Sequence, residues 1–195
     1  MIIRNYKDTD ERGWVQCRVL SFLDTSYYND VKTKKEDYEN PSICLVAEEN
    51  NRIIGLIDVE LDSASLMTSK DERGAIIWNL AVLPEYRRQA VAFKLWEQML
   101  SLLKLKDVMF CELWTQEDKP ANEFYQSIGF TLDTKNTWLR CYLKNEKART
   151  WLDKEKTGKI LGVEELIFEA TLKRRSELED LCTRIDEVRL YTQKL

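Results

Sequence analysis

The 195-residue chain contains no histidine at all. This excludes a histidine-ligated zinc site and a Ser-His-Asp hydrolase. The bases that remain are carboxylates, tyrosine, cysteine, lysine and bound water. Long apolar runs are missing too: no stretch reaches the roughly eighteen consecutive apolar residues of a spanning helix. Arg4 and Asn5 interrupt the first apolar run almost at once, so neither a membrane nor a secretory signal is predicted, and a cytoplasmic protein is expected. Repeats and low-complexity tracts are likewise absent.

Cysteine is scarce and odd in number. Cys17, Cys44, Cys111, Cys141 and Cys182 are widely spaced within apolar periodic segments, the pattern of buried reduced thiols and not of a disulfide frame or metal site. Without a histidine to activate it, Cys111 makes a poor nucleophile. The formal charge of −4 lacks the concentrated basic face that nucleic acid requires, so no nucleic-acid partner is expected. Within residues 1–75 there are 15 acids and 10 bases; if this half lines a substrate site, it favours a cationic amine.

With 44% apolar residues, the chain can form one domain with a substantial core, with or without an appendage. Met1 to Tyr6 reads as a short strand, closed by the turn and cap signal Lys7-Asp8-Thr9-Asp10. From Glu11 to Leu23, Trp14, Val15, Cys17, Val19, Leu20 and Leu23 then fall at helical spacing. A second helix is expected over Asp30 to Tyr38. Residues 42–48 and 52–61 form a hairpin around Glu49-Asn50-Asn51. Asp58, Glu60 and Asp62 share one face of its second strand, which makes that face either solvated or the wall of a pocket.

Ile76 to Val82 reads as a buried strand. It meets Pro84, crosses a loop containing Arg87 and Arg88, and becomes an amphipathic helix with Phe93, Leu95, Trp96, Met99 and Leu100 on its apolar side. The first turn of such a helix leaves about four N–H groups unpaired, a seat for phosphate wherever small side chains admit it. Ala90 and Ala92 are small, and the two arginines add charge. The next strand, Val108 to Thr115, alternates Phe110, Glu112 and Trp114 with Met109, Cys111 and Leu113. Glu112 thus stands mid-strand in the kind of apolar surroundings where carboxylates serve as bases. A helix opening at Lys119-Pro120 carries Asn122 and Tyr125 and stops at Gly129. Thr137 to Leu143 reads as a strand.

Beyond Lys144 the pattern fades. Trp151 lies in a charged helical or loop stretch, and residues 166–172 look like a returning strand. Leu178, Leu181, Ile185 and Val188 repeat at intervals of three and four, predicting a final helix that packs on its own domain or on a second copy.

Arg87-Arg88-Gln89-Ala90-Val91-Ala92 resembles the phosphate-binding signature of the GCN5-related N-acetyltransferase (GNAT) family, with Ala90 where the family usually has glycine. Pro120 to Phe130 resembles the family's Ala-x-x-x-Tyr-x-x-x-Gly-Phe segment without a gap. The resemblance covers roughly residues 1–143. It implies an α/β (α+β) acyl-CoA N-acyltransferase fold: a mixed, mostly antiparallel sheet flanked by helices, here with a C-terminal helical extension over 144–195.

The resemblance further implies acetyl-CoA as acetyl donor, no metal, and transfer to a primary amine of a small molecule or peptide by direct attack. The pyrophosphate would meet residues 87–92, and the pantetheine arm the main chain of Leu80, Ala81 and Val82, with the Val82 amide near the acetyl carbonyl. Tyr125 would act as general acid. Asn122 either orients the arm or caps its helix. For the base, Glu112 comes first, then Glu60 or Asp58. Tyr27 and Tyr28, in the loop that would roof the acceptor pocket, either touch substrate or simply pack. A non-catalytic acyl-CoA-binding or dimeric regulatory module is the alternative, and the tail offers a route to a homodimer.

Overall fold

The computed structural model describes residues 1–63, 68–70, 72–143 and 165–195; Trp151 and its charged surroundings lie outside them. The chain runs through β1 (Ile2–Asn5), α1 (Glu11–Phe22), β2 (Ser42–Glu49), β3 (Arg52–Leu61), β4 (Gly74–Val82), α2 (Val91–Lys104), β5 (Phe110–Thr115) and α3 (Lys119–Ser127). There follow β6 (Thr131–Leu143), β7 (Leu166–Ala170), a helical turn (Arg175–Leu178) and β8 (Cys182–Lys194). One sheet holds all eight strands in the order β1-β2-β3-β4-β5-β8-β6-β7. Among the described residues only β4 and β5 pair in parallel.

Local chemistry accounts for the expected elements. Asn50 and Asn51 both adopt left-handed backbone (φ 51° and 61°), the turn that matches the twist of a two-residue hairpin. Val91, Leu95, Trp96, Met99 and Leu103 bury one stripe of α2 against the sheet, each worth roughly 2 kcal/mol of apolar transfer. Gly55 on β3 makes room for that packing, since a Cβ there would stand 2.9 Å from Val91 Cγ1. Phe93, expected on the apolar side, is exposed instead. Asp10 does not cap α1; its carboxylate is held by Arg4 and by the Lys7 amide.

Two expected helices are not helices. Residues 30–38 are irregular because they have no apolar stripe to bury; their polar groups bind the sheet, with Glu36 accepting from Asn79 and Tyr38 donating to Asp58. The final helix is replaced by β8, inserted between β5 and β6. Asp186, Val188 and Leu190 are buried at intervals of two, with Cys182 and Tyr191 also buried, so the strand period coexists with the spacing of three and four. Leu178 and Val188 are buried within this same chain, so the seam offers no helical face to a second copy.

Asp58, Glu60 and Asp62 are buried, which overturns the solvated-face reading. Asp58 accepts from Trp14 and Tyr38, Glu60 from the Asn40 amide and Trp78, and Asp62 from Thr68 and the Gly74 amide. All five cysteines are reduced thiols; four are buried and Cys44 is partly so. Among the described residues no helix is long and apolar enough to cross a membrane.

Candidate active site

A gap opens in the middle of the sheet. β4 and β5 pair only over Gly74–Phe110, Ala75–Cys111 and Ile76–Glu112, although β4 runs on to Val82 and β5 to Thr115. A bulge helps to part them: Asp58 faces Asn79 and Val59 faces Ile77, so Trp78 is the extra residue on β4. Arg18, itself buried, holds the bulge by donating to Asn79 Oδ1 at 2.7 Å and to Asp30 Oδ2 at 2.7 Å.

The direction of the β4 main chain follows from one bond. Leu83 N–H donates to Ile54 C=O across β3, so alternation turns Ala81 toward β3 as well and turns Leu80 and Val82 into the gap. Leu80 and Val82 can therefore meet an extended ligand as a neighbouring strand would, whereas the Ala81 main chain is engaged on β3.

At the end of β4 the chain passes through Pro84–Tyr86 into the loop before α2. Arg87 folds inward and donates to Ser21 C=O at 2.6 Å and Val82 C=O at 3.3 Å, bolting α1 to the strand end. Arg88 is exposed and, among the described residues, has no carboxylate partner. Gln89 donates to Glu85 C=O. Ala90 is the N-cap of α2 with φ 60° and ψ 17°, and no side chain caps the helix. The family glycine has a physical reason here: the position is left-handed, not helical, so the alanine is strained. The amides of Val91 and Ala92 open a fourteen-residue helix with no capping side chain, the end at which a helix carries its partial positive charge.

α3 borders the other side. Tyr125 is partly buried against Phe130 and Tyr191, with ring centroids 6.1 and 6.2 Å away. Burial, reinforced by neighbouring Tyr27 and Asp118, raises its pKa, so the hydroxyl keeps its proton. Asn122 donates to Gln116 C=O and Asp118 C=O, both at 2.7 Å, and accepts from Tyr191 at 3.0 Å. Both of its donors thus fix the β5–α3 turn, while Asp118 takes the capping role by accepting from the Ala121 amide.

Among the carboxylates, Glu112 is buried, and its Oε2 accepts from the Ser69 amide at 3.0 Å and the Ser69 hydroxyl at 2.5 Å. Ser69 itself is exposed. Burial raises the Asp58 pKa, partly offset by Lys35 at 4.0 Å. Burial also raises the Cys111 thiol pKa, which suits an inert core residue.

A cleft of about 320 Å³ lies beside the end of β5, lined by Tyr27, Asp30, Gln116, Arg140, Tyr142 and Phe168 among others. Tyr27 accepts a hydrogen bond from the Gln116 amide at 3.0 Å, so the loop after α1 does reach the gap. Tyr28 is exposed, with the Arg184 guanidinium 5.1 Å above its ring. Arg184 also donates to Ser26 C=O and Gln116 Oε1, which ties that loop to β8. A second cleft, of about 330 Å³, is lined by Arg4, Asp10, Gly13, Glu48 and Arg52, none of them residues of the gap. Gln116, Arg18 and Arg184 had no motif to mark them. Trp78, read as part of a buried strand, is half exposed because the bulge turns it out.

Residues 10–130 match the model of the acetyltransferase (GNAT) family. Among solved structures, the chain is similar to a GNAT family acetyltransferase from Elizabethkingia anophelis with acetyl-CoA bound: TM-score 0.53, 16% identity, 100% of this chain and 97% of the other. The ribosomal-protein-S18-alanine N-acetyltransferase of Escherichia coli aligns at TM-score 0.56 and 14% identity over 99% and 92% of the two chains. PaiA N-acetyltransferase from Thermoplasma acidophilum, in complex with coenzyme A, aligns at TM-score 0.54 and 17% identity over 68% and 90%. No curated protein matches the chain.

Proposed function

Because the chain belongs to the GNAT acetyltransferase family, we propose that it moves the acetyl group of acetyl-CoA to a primary amine of a small molecule or peptide by direct attack. The observation that carries this reading is the uncapped N-terminus of α2 lying at the end of the same strand whose Leu80 and Val82 main chains face the gap. Bound acetyl-CoA supplies a thioester. The amides of Val91 and Ala92 and the exposed Arg88 receive its diphosphate, and Arg87 keeps that loop seated on the strand end.

Val82 N–H is the donor for the acetyl carbonyl and the charge that grows on it. Tyr125 holds its proton and gives it to the leaving sulfur. For the proton released by the amine we assign Glu112, reached through the exposed Ser69 hydroxyl that already bonds to it. Glu60 and Asp58 are engaged by Trp78, Trp14 and Tyr38 and serve the fold. In this reading the protein works in the aqueous cytoplasm.

The test is release of free thiol from acetyl-CoA on addition of amines, with coenzyme A binding followed separately by calorimetry. Amine-dependent thiol release is expected. Heat of coenzyme A binding without turnover across a broad amine panel would refute the transfer, and no heat at all would refute the site.

A further inference from the structure

Two residues beyond the last paired positions, Ile76 and Glu112, each strand carries a tryptophan: Trp78 on β4 and Trp114 on β5. Trp114 shares its face of β5 with Glu112 by alternation. Trp78 reaches that same face, since its Nε1 donates to Glu60 at 2.7 Å and Glu60 stands in register with Ile76 and Glu112. The two indoles therefore flank the mouth of the gap, on the face opposite α2.

They are also uncovered: Trp78 is 49% exposed and Trp114 37%, whereas Trp14 and Trp96 are buried. Trp138 lies 6.4 Å from Trp114, and the Arg140 guanidinium already covers it at 5.1 Å. Beneath the two exposed rings the face carries Asp58, Glu60, Asp62 and Glu112, all buried, against Lys35 beside Asp58, the buried Arg18 on Asn79 and Lys70 over Phe110. An excess of buried acid under two indole faces attracts a cation that also carries apolar surface, by field and by cation–π contact together.

We propose that the acceptor is a hydrophobic primary amine of the arylalkyl type, its ammonium drawn to this acidic face and its ring packed between Trp78 and Trp114. This rests on the acetyl-transfer reading above and narrows it, setting such amines against hydroxylated ones such as amino sugars. Transfer balances: the bound ammonium first gives one proton to solvent, the N–C bond forms as C–S breaks, the second nitrogen proton leaves toward Ser69 and Glu112, and the sulfur takes the Tyr125 proton, which the tyrosine regains from solvent.

The experiment compares 2-phenylethylamine with ethanolamine and glucosamine by kcat/KM, and also by quenching of tryptophan fluorescence with coenzyme A present. Phenylethylamine should lead by on the order of tenfold, the size of effect that burying a ring supports. In Trp114→Ala, and independently in Trp78→Phe, that lead should shrink while coenzyme A affinity holds. Equal use of the three amines, or a lead that survives both substitutions, overturns the proposal. If no amine releases thiol, the transfer reading fails, and the quenching titration still decides this one: tighter binding of phenylethylamine, weakened in Trp114→Ala, supports it, and equal binding overturns it.

Discussion

Replacing Ala90 by glycine discriminates sharply between two conformations of the loop before α2. At an ordinary helical position the change would destabilise the protein by about 1 kcal/mol, because glycine loses more backbone freedom on folding. Ala90 has φ 60° and ψ 17°, however, a region in which an L side chain costs about 1–2 kcal/mol relative to glycine. Glycine's greater freedom in the unfolded chain returns about 0.4–1 kcal/mol of this. The net expectation for Ala90→Gly is a gain of roughly 0–1.6 kcal/mol, or up to about 6 °C in Tm for a chain of this size. Urea unfolding followed by circular dichroism measures it. Calorimetry with coenzyme A should show tighter binding, since a methyl group is removed where the diphosphate approaches the Val91 and Ala92 amides. Arg88 is also left-handed, at φ 61°, so Arg88→Gly should be equally neutral to stability and yet weaken coenzyme A, the more so at low salt. A loss of about 1 kcal/mol in Ala90→Gly would refute the left-handed assignment and the explanation of the family glycine with it.

Tyr125→Phe should lower kcat by on the order of 10²-fold while leaving coenzyme A affinity largely unchanged, as steady-state kinetics and calorimetry would show; unchanged kcat would remove Tyr125 from the acid role. Glu112→Gln and Ser69→Ala should each depress kcat/KM most at low pH, where fewer amine molecules are neutral, and a pH–rate profile identical to wild type would remove the relay. Gly55→Ala puts a Cβ 2.9 Å from Val91 Cγ1 and 3.3 Å from Ala81 C=O, so it should destabilise by about 1–3 kcal/mol and weaken coenzyme A by displacing the start of α2. Burial holds the Asp58 carboxyl above the usual range of about 4, so the folded state binds that proton more tightly than the unfolded one. Its contribution is full at low pH and is lost as pH rises through the folded value; unfolding free energies from about pH 4 upward should fall more steeply in wild type than in Asp58→Asn, and parallel curves would refute this.

The strand, loop and helix over Ile76 to Lys104 were legible because their signals are local: an apolar run, Pro84, then a stripe at helical spacing. The Asn50-Asn51 turn and the alternation of β5 are local for the same reason. β8 was not legible as a strand. Its inward positions include the charged Asp186, which hides the alternation, while Leu178, Leu181, Ile185 and Val188 happen to satisfy a helix. Only a slot between β5 and β6 decides between the two, and that slot is a tertiary fact. Residues 30–38 failed for want of any apolar period, their conformation being set by Arg18, Asn79 and Asp58 on other elements. At the site, the phosphate loop and Tyr125 announced themselves by motif. The exposure of Trp78 and the inward turn of Arg87 depend on a bulge and on a carbonyl of α1, which no neighbouring residue encodes.

The place of β8 has a consequence for synthesis. While residues 182–194 are still inside the ribosome, β1 to β5 and β6 to β7 are two separate ribbons, and β5 and β6 each present an unsatisfied edge. Until β8 emerges to zip them together, the nascent chain carries two open β-edges, exposed to the edge-to-edge pairing that such edges invite.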